Sequence, residues 1–256
     1  IIVALLVMAA FAEWIAPYPY DQSIRNARLR PPGSGFLLGT DNVSRDIFSR
    51  IVYGARVSVT VGFATVFLAT LLATTIGITS GYFGGRYDLV IQRIVDAWQS
   101  FPFLVIILSL LAVLGPGMLN LILSLSVLVA AGASRVIRGA TLAVIANQYV
   151  EAARALGCGH LRIILRYILP NVGATIIILA TIGLGGVILA ESALAFLGYG
   201  VPPPYPSWGA MLSGSGRTYM YTAPWMALWP GVAISLAVFG FNMLGDALRD
   251  VLDPRL

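Results

Sequence analysis

The residues able to do chemistry in this 256-residue sequence are few: His160 is the sole histidine, Cys158 the sole cysteine, and there are eleven acids. His160 stands in an arginine-rich stretch with no carboxylate close by in sequence, so it reads as a polar turn residue rather than a general base. Gly132-Ala133-Ser134-Arg135 and Gly214-Ser215-Gly216 fit neither a nucleophile elbow nor a zinc site. No catalytic or metal-binding set is expected. All 16 basic residues are arginine. A P-loop needs the Lys of G-x-x-x-x-G-K-[ST] to reach the β- and γ-phosphates, and no lysine is present. This chain is therefore expected to carry no cofactor, with ATP and Mg bound by partner subunits if ATP supplies the energy. One cysteine allows no intrachain disulfide and leaves the redox compartment unread.

The elements that position these residues belong to a membrane. Hydrophobic residues make up 58% and charged residues 11% of the chain, against roughly 45–50% and about 25% in soluble domains. Mean hydropathy is +0.87. The net charge of +5 lacks a basic cluster on a soluble domain, so it points to anionic lipid headgroups rather than nucleic acid. About 20 apolar residues cross a ~30 Å hydrocarbon core. Runs of that order predict six transmembrane helices, near 1–16, 57–78, 97–114, 118–133, 172–197 and 225–244. Pro102 is tolerated near a helix start or a packed kink. The chain begins at Ile1 and is read as starting inside its first hydrophobic helix, with a short leader missing; Glu13-Trp14 replaces the small residues of a signal-peptide cleavage site.

Four polar stretches separate the spans: 17–56, a charged turn at 81–96, a loop at 135–170 with five arginines, and a Pro-, Gly- and Tyr-rich stretch at 199–224. Placing the 135–170 loop inside puts nine arginines on the cytoplasmic side and seven outside, which favours two cytoplasmic termini. Gly77, Gly81 and Gly85, and Gly186 with Ala190, repeat the spacing of close helix packing. Glu191 is the only acid well inside a span. Counted from Val172 at ~1.5 Å per residue, it lies roughly 28 Å along, near the outer surface. Two readings stand for it: part of a substrate path, or a structural cap bonded to the backbone or to an arginine of the 25–56 segment.

The stretch Gln148 to Pro170 predicts two short amphipathic helices around the break Gly157-Cys158-Gly159. Tyr149, Ala152, Ala153 and Leu156 form a narrow apolar stripe, and Glu151 can pair with Arg154 one turn on. Leu161, Ile164, Leu165 and Ile168 form a second stripe, and Pro170 punctuates the next span. Spacing alone leaves an interfacial helix and a docking helix equally open.

The residues themselves go further. Glu151-Ala152-Ala153, then Gly157, then Leu169-Pro170, resembles the EAA loop of ABC importer permeases, with Tyr167 where that motif usually has Ile. Gly39-Thr40-Asp41, Arg45-Asp46, Ser49-Arg50 and Gly54-Ala55-Arg56 resemble a signature of the dipeptide and oligopeptide permeases, a family that includes nickel and glutathione importers. That signature usually has Gly where Ser44 stands here. Leu197 to Gly200 with Pro202 to Gly209, and Asn242 to Asp246 with Leu248 to Arg255, resemble two further signatures in the same order.

The resemblance implies an all-α membrane protein, a single type I ABC importer permease domain over 1–256. It implies ATPase coupling through Glu151, Ala152, Ala153, Gly157, Leu169 and Pro170. It also implies a second permease subunit, two ATP-binding subunits and an extracytoplasmic binding protein, in a bacterial or archaeal cell membrane. The C-terminal Asp246, Arg249, Asp250 and Asp253 are expected to form a solvated, salt-bridged helix end. The rival from another class, an ion-coupled secondary transporter, calls for ionisable groups near the midplane and broken helices around them. Neither that pattern nor a half-length inverted repeat is evident.

Overall fold

The computed structural model describes residues 1–33 and 35–252; Asp253, Pro254 and Arg255 of the C-terminal signature lie outside the described residues. Among the described residues, regular structure is helical apart from one isolated antiparallel bridge between Thr40 and Asp46. In chain order the helices are α1 (Ile2–Ala10), α2 (Ala12–Ile15), α3 (Ile47–Phe83), α4 (Gly85–Gln99), α5 (Phe103–Leu114), α6 (Met118–Ile145), α7 (Gln148–Ala155), α8 (His160–Phe196), α9 (Trp208–Leu212), α10 (Ser215–Thr218) and α11 (Trp225–Leu252).

Four of them, α3, α6, α8 and α11, are long and apolar enough to cross a membrane. Helices α4 and α5 pass that test only as a pair, bent by 89°. The apolar run read as one span over 97–114 is thus broken. Its first residues end α4, and Pro102 opens α5 by accepting the Val105 N–H at 3.0 Å. A proline disfavours helical geometry in the residue before it, which fits the break between Gln99 and Phe103. The apolar run over 1–16 is likewise two short helices with a break at Phe11. The stretch 81–96, expected as a charged turn, is mostly the 15-residue helix α4. The 135–170 loop is largely helical too, since α6 continues to Ile145 and α8 begins at His160.

The chain packs as two compact units, each assembled from separate stretches. One comprises Ile1–Ala64, Leu111–Ile122 and Leu184–Met243. Here Trp225 lies against Gly39 and Trp208 against Gly54, where a Cβ would come within 2.8 Å of each indole. Their ring nitrogens donate to Thr40 O at 3.1 Å and Ile51 O at 3.0 Å. Asp46 caps the first turn of α3, accepting from Ser49 N at 2.8 Å and Ser49 Oγ at 2.7 Å. Ser44 takes φ +66, a left-handed backbone that glycine, the residue the resemblance leads one to expect there, adopts without a Cβ penalty.

The other unit comprises Thr65–Leu110, Leu123–Gly183 and the chain from Leu244. Gly77 and Gly81 bring α3 against α6, with a Cβ at Gly77 only 2.6 Å from Ser134 O and one at Gly81 only 2.9 Å from Thr141. Gly85 does not extend that seam; it turns the chain into α4 with φ +55. Arg138 and Arg135 of α6 pair with Asp88 and Asp96 of α4, so each guanidinium on this apolar helix has a carboxylate partner. Among the described residues no salt bridge joins Asp246, Arg249 and Asp250, contrary to the expected ion-paired helix end; all three are exposed.

Candidate functional site

Helix α7 carries Glu151, Ala152 and Ala153, and it is only eight residues long. Two signals set its limits. Asn147 precedes it in extended geometry, its side chain bonded back to Ala143 O and Val144 O at the end of α6. At the other end the Gly157 N–H reaches Arg154 O at 2.9 Å and the Cys158 N–H reaches Ala153 O at 3.0 Å. That is a Schellman motif with Gly157 in its left-handed position, φ +75. A Cβ at Gly157 meets nothing within 4 Å, so this glycine is required for its backbone rather than for clearance.

The face that α7 buries differs from the stripe read in the sequence. Val150 and Ala153, 0% and 3% exposed, pack into a cluster with Tyr82, Ile137, Ile163 and Ile168. Tyr149 and Leu156 of the stripe are 42% and 83% exposed, and Ala152 is also exposed. The helix therefore has two apolar faces, one packed within the subunit and one open. Glu151 is exposed and its expected ion pair with Arg154 does not form; the Arg154 guanidinium lies 5.2 Å above the Tyr82 ring instead. His160 is no mere turn residue, because its Nδ1 lies 2.9 Å from Tyr82 Oη.

The second amphipathic segment runs straight into the following span as one 37-residue helix. A π-helical turn over Ile164–Ile168 precedes Leu169 and Pro170. Pro170 has no N–H and its ring would crowd the carbonyl of Arg166 in a regular α-helix, and the wider turn provides room. The inserted residue sets the fully buried positions at Ile163 and Ile168, five apart, so of the stripe Leu161, Ile164, Leu165, Ile168 only Ile164 and Ile168 pack inward while Leu161 and Leu165 are exposed. Leu169 joins the cluster that holds Ala153, while Pro170 is exposed.

Glu191 belongs to the other unit and is 0% exposed. Its Oε2 accepts from Ser58 Oγ of α3 at 3.2 Å and from Ser192 Oγ at 3.4 Å. Ser207, just before α9, also acts on this carboxyl from close by. Glu191 Oε1 has no partner among the described residues. The partners are hydroxyls, not an arginine of the 25–56 segment. A Cβ at the neighbouring Gly209 would come within 2.0 Å of Ser192 O, so α9 sits hard against α8 at this point.

Residues 73–256 match the family described as binding-protein-dependent transport system inner membrane component. The chain belongs to that family. Residues 1–32 match the N-terminal TM domain of oligopeptide transport permease C. The dipeptide transport system permease protein DppC of Alkalihalophilus pseudofirmus is 41% identical over 256 residues, covering 100% of this chain and 84% of the relative. The glutathione transport system permease protein GsiD of Pectobacterium atrosepticum is 37% identical over 256 residues, covering 100% and 85%. A structure of the MetNI methionine ABC transporter in inward-facing conformations superposes with a TM-score of 0.65 at 19% identity, over 80% of this chain and 97% of that one. That last likeness concerns the fold. The chain is thus an importer permease with several membrane-spanning helices, and the secondary-transporter reading is set aside.

Within this permease, Tyr82 is a partner of the α7 region that no sequence motif marks. Its aromatic context, Tyr82-Phe83 at the end of α3, carried no spacing signal. The ring meets His160 edge-on at 5.7 Å between centroids, a contact made across 78 positions of sequence.

Proposed function

We propose that this permease forms half of the translocation path of an ATP-driven importer of dipeptides or oligopeptides, coupled to its ATPases through α7. The observation that carries this reading is the open apolar face of Tyr149, Ala152 and Leu156. Such a face on a short polar-flanked helix outside the spans gains free energy only by meeting a partner. The opposite face, Val150 and Ala153, ties α7 to the subunit core, so a partner that moves α7 moves the cluster with it. Glu151 and Ala152 lie on the docking side of α7, Ala153 anchors its other side, Gly157 ends it, and Leu169 with Pro170 fixes where α8 leaves it.

In this reading both termini are cytoplasmic and the subunit, one permease domain, crosses the membrane six times. The four long helices, the bent α4–α5 pair and the apolar segment 1–15 supply the crossings. A second permease, two ATP-binding subunits holding ATP and Mg, and an extracytoplasmic binding protein complete the assembly. Nucleotide binding closes the ATPases, α7 follows, and the bundle exchanges inward for outward access. The names of the relatives at 41% and 37% identity support a peptide, including glutathione as a modified tripeptide, over a metal ion.

Uptake of labelled dialanine by proteoliposomes holding the complete importer tests this. Uptake is expected to require internal or external ATP on the ATPase side and the binding protein on the other, and to survive collapse of the proton gradient. Uptake that follows the proton gradient without ATP overturns the reading. Cys158 should label only from the ATPase side.

A further inference from the structure

A polar cavity of about 200 Å³ lies in the first unit, between the 41–50 segment and the 199–224 loop. Its walls include Asp41, Arg45, Arg50 and Tyr205, and Met211 and Met226 give it an apolar side. On the wall itself two guanidiniums face one carboxylate, and Asp21 outside the wall also acts on Arg50. Asp41 is fully engaged: Oδ1 accepts from Val43 N at 2.9 Å and Arg45 N at 2.8 Å, and Oδ2 accepts from Arg45 Nε at 2.7 Å. Arg50 donates Nη1 to Tyr20 O at 3.1 Å, and its Nε stands 4.0 Å from Asp41. Among the described residues, Arg50 Nη2 and both terminal nitrogens of Arg45 have no hydrogen-bond partner. The Arg50 side chain is only 10% exposed. A guanidinium held that deep against a cavity wall, with donors to spare, is unusual unless an anion completes it.

We propose that this cavity binds the terminal carboxylate of a peptide, with the last side chain against Met211 and Met226. The volume favours an end group. Sites that enclose a whole small ligand run from about 300 Å³ upwards, so the rest of the solute projects outside. Recognition through the terminus suits a path that passes varied peptides, because every peptide shares that group and two guanidinium forks match its geometry. The inference rests on the importer reading above for its choice of peptide over another carboxylic acid.

The test uses the full chain in lipid nanodiscs, with binding of dialanine and of dialanine amide followed by saturation-transfer NMR. The free acid is expected to bind in the millimolar range and the amide at least about tenfold more weakly, the loss of a charge-assisted pair. Arg45→Gln should reproduce that loss. Ala210→Trp fills the cavity from an exposed position of α9 and removes no charge, so it should abolish binding with the fold intact. Equal binding of acid and amide, binding untouched by Ala210→Trp, or no binding of the acid at millimolar concentration overturns the inference. So does an Arg45→Gln effect confined to the affinity of the binding protein, which places the carboxylate on that partner. Dialanine uptake by the complete importer is scored separately. Uptake without cavity binding defeats this inference alone, and binding without uptake defeats the import reading alone.

Discussion

Tyr82 Oη lies 2.9 Å from Nδ1 of His160, joining the last turn of α3 to the first residue of α8. The ring also carries the Arg154 guanidinium at 5.2 Å, so one side chain of α3 touches both helices that flank the Gly157 turn. The turn is thus held from the span side as well as by its own backbone bonds. Tyr82→Phe removes only the hydroxyl and keeps the ring beneath Arg154. It should lower the stability of the subunit by about 0.5–1.5 kcal/mol, the net value of one hydrogen bond. Thermal unfolding of the detergent-solubilised protein checks this, and Tyr82→Ala should cost more because the ring contacts go too. An unaltered melting curve for Tyr82→Ala means that Tyr82 does not hold the Gly157 turn.

Ser44→Gly should stabilise the protein by about 1 kcal/mol, because a side chain in the left-handed region is disfavoured by roughly that amount. Ser44 has φ +66, and its Oγ makes no hydrogen bond among the described residues that the change would remove. Its backbone bonds, N–H to Asp41 O at 3.1 Å and C=O from Ile24 N at 2.9 Å, persist in the variant. Comparative denaturation of the two proteins reads the difference. A loss of stability means that the unfolded-state freedom of glycine outweighs the relief of strain.

The sequence made some of this architecture legible and hid the rest for identifiable reasons. Long apolar runs marked α3, α6, α8 and α11, because lipid imposes length and composition. Gly157 marked the end of α7, since a Schellman turn needs a residue that accepts positive φ. Which face of α7 packs inward was not legible, because a stripe of Tyr149, Ala152, Ala153 and Leu156 looks alike whether it is buried or waits for a partner. The π-turn before Pro170 shifted the α8 face by one residue, which a fixed 3.6 period cannot anticipate. The serines around Glu191 come from positions 58, 192 and 207, and nothing in local spacing ties the first and last to the acid. Gly39 and Gly54 stood in a recognisable signature, yet their tryptophan partners are 186 and 154 positions away, by the differences 225 − 39 and 208 − 54.

Glu191 joins α8 to α3 through the Ser58 hydroxyl, which favours a positioning role for it. Glu191→Gln keeps an acceptor for Ser58 and Ser192 and should leave expression, assembly and uptake close to those of the parent. Glu191→Ala leaves buried hydroxyls unpaired and should cost about 1–3 kcal/mol of stability, seen as reduced yield of folded protein and a lower melting temperature. Uptake of several peptides by the Glu191→Gln importer provides the check. A defect that differs between peptides, with normal assembly, instead assigns the carboxyl to the substrate path.

Leu156 tests the coupling most directly, since it is 83% exposed at the end of α7 and supports nothing within the subunit core. Leu156→Glu places a charge on the open apolar face without disturbing Val150, Ala153 or the Gly157 turn. The measurement is peptide uptake and peptide-stimulated ATP hydrolysis by the reconstituted importer carrying this one change. With the subunit inserted and its unfolding unaltered, both activities should fall at least about tenfold, as for loss of a central apolar anchor at an interface. Uptake and hydrolysis equal to the parent, in a complex of normal composition, contradict coupling through α7.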